Sequence, residues 1–238
     1  MSETQSSLLL LFRGPMQSWG DESRFATRTS HAYPTKSGVV GLLAAALGRR
    51  REDSIDDLSL LHFGVRVDQP GSLMKDFQTA TPAGAKDPLP LISRYYIANA
   101  VFLVAIGGER ALLETLEKAL KSPRFPLYLG RRACPANVDL VIGIVDQDID
   151  TALREHAEWY ANTRHKRLLS RIVDLPIFRD PLADENTAPR HRRRDLAVSF
   201  NPEHRKYLWR EIVTAKPVRM ENPDGNDVLD FFSTVVTS

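Results

Sequence analysis

The chain has 238 residues, 42% of them hydrophobic, with 32 basic and 30 acidic residues for a net charge of +2. That length suits one main core with a smaller appendage better than two full domains. No apolar run approaches the ~20 residues of a membrane span, and a single cysteine, Cys134, excludes an internal disulfide and any cysteine-rich zinc site. The opening MSETQSS is polar and lacks a basic n-region, so no signal peptide is expected and the chain reads as a soluble cytosolic, that is cytoplasmic, protein.

In chain order, LLLLF at 8–12 lacks alternation, the pattern of a strand covered on both faces. It stops at Arg13, and a Gly-Pro corner leads into Met16, Gln17, Ser18 and Trp19. GVVGLLAAAL at 38–47 predicts a buried helix of about three turns. Thr35 or Ser37 is its N-cap and Gly48 its C-cap, while Gly38 and Gly41 allow a close approach to the sheet. FGVRV at 63–67 predicts a strand closed by the turn DQPG. QTATPAGAKDPLPLISR at 78–94 has three prolines and little periodicity, which predicts a loop or an irregular protruding arm. YYIANAVFLVAIGG at 95–108 predicts one long strand. ERALLETLEKALK at 109–121 predicts an amphipathic helix with Leu112, Leu113, Leu116, Ala119 and Leu120 on one face and lysines at its C-terminal end. FPLYLG and then VDLVIGIV at 138–145 complete the sheet.

The order strand, helix, strand, strand, helix, strand is that of the split βαβ fold, ferredoxin-like and of class α+β. TALREHAEWYANTRHKRLL, after about residue 150, predicts a moderately polar helix. RIVDLPIF and YLWREIV follow as short strands around a basic loop, APRHRRRD. No RNP1 pattern is present, so the fold alone does not imply RNA binding.

Charge is segregated along the chain. Residues 1–51 hold seven basic against three acidic residues, residues 121–132 four against none, and residues 188–210 seven against two. Such a chain either presents a basic face to an anion or simply carries solvated faces of both signs. PTKSGVVG at 34–41 fails the Walker pattern at both glycines, which excludes a phosphate loop. What remains is a helix start beside a lysine and two hydroxyls: a phosphate seat or merely a cap. None of the six histidines has metal-ligand spacing, so no metal and no cofactor are expected. His31, Tyr33 and Lys36 lie close enough in sequence to suggest either a metal-independent RNA-cleaving set or an ordinary loop.

GPMQSWG, PTKSGVVGLLAAALG, RVDQPG with DFQTA, SRYYIANAVF and LYLGRRACP occur in this order over residues 6–136. In that set the chain resembles the CasD family, the subunit that binds the 5′ handle of the crRNA in the type I-E CRISPR Cascade complex. RHRRRDLAVSF and HRKYLWREI resemble the family's variable C-terminal part. The resemblance implies a ferredoxin-like (RRM-like) βαββαβ core over 1–148, a protruding thumb arm at about 78–95 and a small β-rich C-terminal domain over 149–238. It implies a non-catalytic RNA-binding subunit in antiviral defence that caps the filament of Cascade backbone subunits beside the large PAM-reading subunit.

On this resemblance Arg13 holds phosphate, Gln17 reads a base edge and Trp19 stacks on a base, the mixture that splayed single-stranded RNA requires; taken alone, Trp19 reads as a core tryptophan. Thr35, Lys36 and Ser37 at the helix start, Arg94 with Tyr95, and Arg131 with Arg132 extend the groove, with Arg24 and Arg28 in the loop between. The arginine cluster at 190–194 is left unassigned among crRNA, target DNA and an acidic partner. Two other readings compete: a metal-independent endoribonuclease processing CRISPR repeat RNA, as in some type I-C relatives, and a ferredoxin-like module that binds no nucleic acid.

Overall fold

A computed structural model describes residues 6–20, 27–79, 92–182, 185 and 188–226. The N-terminal elements are β1 (Ser6–Arg13), β2 (Met16–Gln17), β3 (Trp19–Gly20), β4 (Thr27–Arg28), β5 (Ser30–His31), α1 (Lys36–Leu47), α2 (Asp56–Ser59) and β6 (His62–Gln69). Then come β7 (Ser72–Gln78), β8 (Ile92–Ala98), β9 (Val101–Gly108), α3 (Arg110–Lys121), β10 (Val141–Val145), α4 (Ile149–Glu155), α5 (Thr163–Arg167), β11 (Ile172–Arg179), β12 (Arg190–Ser199) and β13 (Lys206–Glu221).

The central sheet has seven strands in the order β10-β1-β9-β6-β11-β13-β12, every pair antiparallel. Its first four strands with α1 and α3 form the split βαβ unit. Burial on both faces explains the unalternated β1. Leu8, Leu10 and Phe12 pack with the apolar side chains of α1 and α3, while Leu9 packs on the opposite face with Ile149, Ala152 and Leu153 of α4. Helix α1 begins at Thr35, whose side chain accepts the Gly38 N–H, and ends at Gly48 in the left-handed region at φ 79°. Gly38 permits the expected close approach, but to the ring of Trp19: a Cβ there would lie 3.0 Å from the indole. Helix α3 buries Leu113, Leu116 and Leu120 and carries Lys118 and Lys121 in its last turn.

The C-terminal strands are not hung on a linker. β11 pairs with β6 at Ile177–Arg66, Phe178–Val65 and Arg179–Gly64, so the sheet runs unbroken past residue 148.

Four local expectations are corrected. The long strand over 95–108 breaks at Asn99, which takes φ 56° and donates its N–H to Pro15 O at 3.1 Å. β8 thereby leaves the central sheet and pairs with β7, β2 and β4 in a smaller one. Of the proposed thumb at about 78–95, Gln78 ends β7 and pairs with Ile92 at the start of β8, and residues 80–91 lie outside the described residues.

FPLYLG makes no named strand. Tyr128 forms a single bridge to Pro135, and the turn at Gly130 then reverses the chain. The polar helix after residue 150 stops at Glu155, because the carbonyls of Leu153, His156 and Glu158 turn onto the Arg66 guanidinium at 3.0, 2.8 and 2.5 Å. Arg66 is fully buried with Asp68 at 2.7 Å, so these carbonyls complete the shell of a buried ion pair. The basic loop APRHRRRD is largely strand: β12 forms the end of the sheet and pairs with β13.

Candidate nucleic-acid interface

A cavity of about 1010 Å³ opens between the β12–β13 hairpin and the start of α1. Ser18, Gly20 and His31 of the β3–β5 region, with Thr35, Ser37 and Gly38, form one side. Arg192, Arg193 and Arg194 of β12, with Arg205, Tyr207 and Trp209, form the other, and Gly130–Arg131 closes an end. Among the described residues five arginines and two histidines therefore line it, and no carboxylate does. An end strand rich in arginine also discourages edge-to-edge pairing, but that role does not require the arginines to converge on a cleft.

Beneath the cavity lies a neutral ionic floor. Arg210 bonds Asp180 at 2.5 Å and Asp195 at 2.6 and 3.1 Å. The Lys36 ammonium donates to Asp180 at 3.0 Å, and the Lys36 backbone N–H donates to Asp195 at 2.9 Å. Two cations and two anions, all nearly buried, tie α1 to β12, β13 and the end of β11. The Tyr33 ring stacks on Phe178 with centroids 4.2 Å apart, shares a hydrogen bond with His191 Nε2 at 3.1 Å, and lies 4.3 Å below the Arg193 guanidinium. Burial pushes the Tyr33 phenol up, against the opposing pull of Arg193 and Arg210. Partial desolvation, and then the charges of Arg193 and Arg210, hold His191 below the ordinary histidine range.

The structure separates the residues expected to bind. Gln17 and Trp19 belong to the core, both 0% exposed. The Trp19 indole N–H donates to Gln17 Oε1 at 3.1 Å, the Gln17 amide donates to Ala100 O at 2.9 Å, and the Trp19 ring stacks on Phe12. Neither side chain can meet a base, because the Gly-Pro corner folds them back under α1 instead of presenting them at the margin. Lys36 is likewise withdrawn, its charge matched by Asp180, and the Asp195 carboxylate occupies the first amide of the helix that was to seat a phosphate. Thr35 is 1% exposed and serves as the cap, while Thr35 and Ser37 both line the cavity wall.

Arg131 lines the cavity, donating to Tyr95 O at 3.1 Å and lying 5.0 Å over the Tyr96 ring. Arg132 is exposed beside it but does not line the cavity. Arg13 stands at the end of β1, half exposed and salt-bridged to Asp139, away from the cavity lining. Arg94 and Tyr95 sit in β8, opposite Asp76 and Lys75 of β7. Arg28 is placed by its backbone in β4, and Arg24 lies outside the described residues. The side chains that sequence reasoning did not assign are Arg192, Arg193, Arg194, Arg205 and Trp209. Their signal was visible as RHRRR and YLWRE, but what makes them a site is the pairing of β12 with β13.

Among the described residues no group of three or more His, Cys, Asp or Glu could hold a metal ion, and no helix is long and apolar enough to cross a membrane. Fold and cavity together define an α+β protein of ferredoxin-like topology with a cationic cleft at the end of its sheet. The family model described as CRISPR-associated protein (Cas_Cas5) matches residues 7–213, and the chain belongs to that family. It is 34% identical over 162 residues to the CRISPR system Cascade subunit CasD of Escherichia coli (strain K12), across 58% of this chain and 71% of that one. It superposes with a TM-score of 0.72 on a chain of a CRISPR RNA-guided surveillance complex at 31% identity, covering 97% of this chain and 98% of the other. A crystal structure of a Cas protein gives a TM-score of 0.60 at 38% identity, over 88% and 95% of the two chains.

Proposed function

We propose that this chain is a non-catalytic, RNA-binding subunit of a CRISPR Cascade surveillance complex and that the arginine-lined cavity holds the 5′ handle of the crRNA. The observation that carries the proposal is a cleft of about 1010 Å³ with five arginines and no carboxylate among its described lining residues, set above an ionic floor that is already neutral. The floor's own charges are matched, so it sets no net charge against the cleft, and a lining rich in arginine suits a polyanion. On this reading the subunit works in antiviral defence in the cytoplasm. It caps the filament of backbone subunits next to the large PAM-reading subunit, and the arginines of β12 serve the crRNA before any target DNA.

The nuclease reading is disfavoured. Cleavage through His31, Tyr33 and Lys36 needs an available lysine and a phenol that ionises readily. Lys36 is held by Asp180, and Tyr33 is stacked and raised by burial.

The test is retention of labelled CRISPR repeat RNA in EDTA, read for both binding and fragment length, by the subunit alone and with its backbone subunits. Binding without fragments is expected, weakening with salt at a slope of about −0.7 per phosphate contact. For roughly four contacts this is about a 50-fold loss between ~50 and ~200 mM salt. Discrete fragments would make the chain a processing nuclease, and a salt-independent affinity would remove the cavity from the argument.

A further inference from the structure

Trp209 is 60% exposed on β13, whereas Trp19 and Trp159 are 0% and 6% exposed. Its place is unusual for so large an apolar side chain. It lines the rim of the cationic cavity with Arg194, Arg205 and Tyr207. The register explains how it gets there. Arg193 pairs with Arg210 and Leu196 with Leu208, so Arg194 and Asp195 together face the single residue Trp209 across a bulge. A bulge re-aims side chains. Here one bulged residue, Asp195, turns inward to the ionic floor, and the other, Arg194, joins Trp209 on the rim.

We propose that Trp209 is a base-stacking platform: an unpaired base of the bound strand lies on the indole face while Arg205 and Arg192 hold the flanking phosphates. This rests on the RNA reading of the cavity and specifies the state of the strand within it. A base in a duplex already has both faces covered, so the strand is unpaired where it crosses the rim. Stacking on an indole is tolerant of base identity, because every base offers a π-face. Trp209 therefore contributes grip, not sequence choice. Tryptophan and arginine are enriched at protein interfaces as well; what favours a nucleic-acid strand here is that the cleft beside Trp209 carries five arginines and no carboxylate among its described lining residues.

Trp209 is the one well-exposed tryptophan of the three, so its fluorescence is its own reporter. Single-stranded repeat RNA is expected to quench the emission and to shield it from acrylamide, and an RNA duplex of the same sequence is not. Trp209→Ala should keep the wild-type melting temperature and bind roughly 5- to 150-fold more weakly, by a similar factor for oligonucleotides of altered sequence. The slope of log K against log salt should not change, because no charge is removed, and Trp209→Phe should recover much of the affinity. Wild-type affinity in Trp209→Ala, or undiminished acrylamide access while RNA is retained on the gel, would overturn the platform, leave the RNA reading standing and mark Trp209 as a protein contact. Failure of the wild-type protein to retain RNA, alone or with its backbone subunits, would remove both.

Discussion

Lys36 and Asp180 are 144 positions apart in the chain, and their side chains meet at 3.0 Å in a nearly buried ion pair. Asp180 also receives Arg210 and the backbone N–H of Phe63. Asp180→Asn leaves both cations under-compensated and is expected to cost about 3–5 kcal/mol of stability, the usual consequence of removing one partner of a buried pair. Lys36→Met should cost less, because Asp180 keeps Arg210 and the Phe63 N–H. Urea midpoints at constant m-value measure both, and equal midpoints for the two variants would contradict this ranking.

Trp19 and Gln17 make a second prediction, about stability and not about RNA. Trp19→Ala empties a fully buried ring site against Phe12 and should cost about 3–5 kcal/mol. Gln17→Leu strands the Trp19 N–H and the Ala100 carbonyl, each worth about 1–3 kcal/mol when left buried without a partner. Either variant losing RNA affinity while keeping the wild-type melting temperature would return these residues to the interface.

Charge bookkeeping along the RNA gives a third. Arg192→Gln should reduce the magnitude of the salt slope by about 0.7. Arg13→Gln should leave it unchanged, since Arg13 is salt-bridged to Asp139 and does not line the cavity. A slope change in Arg13→Gln would extend the binding surface along the far end of β1.

The histidines set a pH window. His156, His165 and His191 are all held below the ordinary value of 6.5, first by burial, with Arg66 adding to the effect at His156 and Arg193 and Arg210 at His191. A group whose pKa is lowered by folding binds its proton more readily in the unfolded chain. Its contribution is therefore present above 6.5 and is lost as the pH falls through the lowered folded value. The urea midpoint should drop as the pH falls below 6.5, and His156→Gln with His191→Gln should flatten the profile. Bound phosphate beside His191 works in the opposite direction, so RNA binding should take up protons as the pH falls below the ordinary histidine value, measurable as a buffer-dependent calorimetric enthalpy.

Gly130 supplies the last prediction. It takes φ 92°, and a Cβ there would collide with the carbonyl of Ser18. Gly130→Ala must open the contact in which the Ser18 N–H donates to Leu129 O, and with it the placement of Arg131. The variant should melt lower and bind RNA more weakly, whereas Arg132→Ala next to it should do neither.

The core was largely legible because its signals are local. Unbroken LLLLF, the capped apolar run before Gly48 and the leucine face of α3 each need only neighbouring residues to be read. The site was legible as charge but not as place. Polar and aromatic residues after a strand, such as Gln17 and Trp19, look like a binding set until Gly38 is seen to admit the indole beneath α1. RHRRR looks like a loop until β13 pairs with it, and no local pattern announces a partner some 20 residues downstream. The pairing of Lys36 was hidden for the same reason. Its partner Asp180 lies in a segment whose place beside β6 depends on the register of β11.

That distance has a consequence during synthesis. At ~5–20 residues per second, Asp195 leaves the ribosome roughly 8–30 s after Lys36. Throughout that interval α1 carries a lysine and an N-terminal amide whose carboxylates do not yet exist. The nascent N-terminal part presents an extra positive charge that the finished protein hides, and the arginine cleft is completed only when the last long hairpin folds back. Only a chain made through β13 therefore carries both the matched Lys36 and the completed cleft.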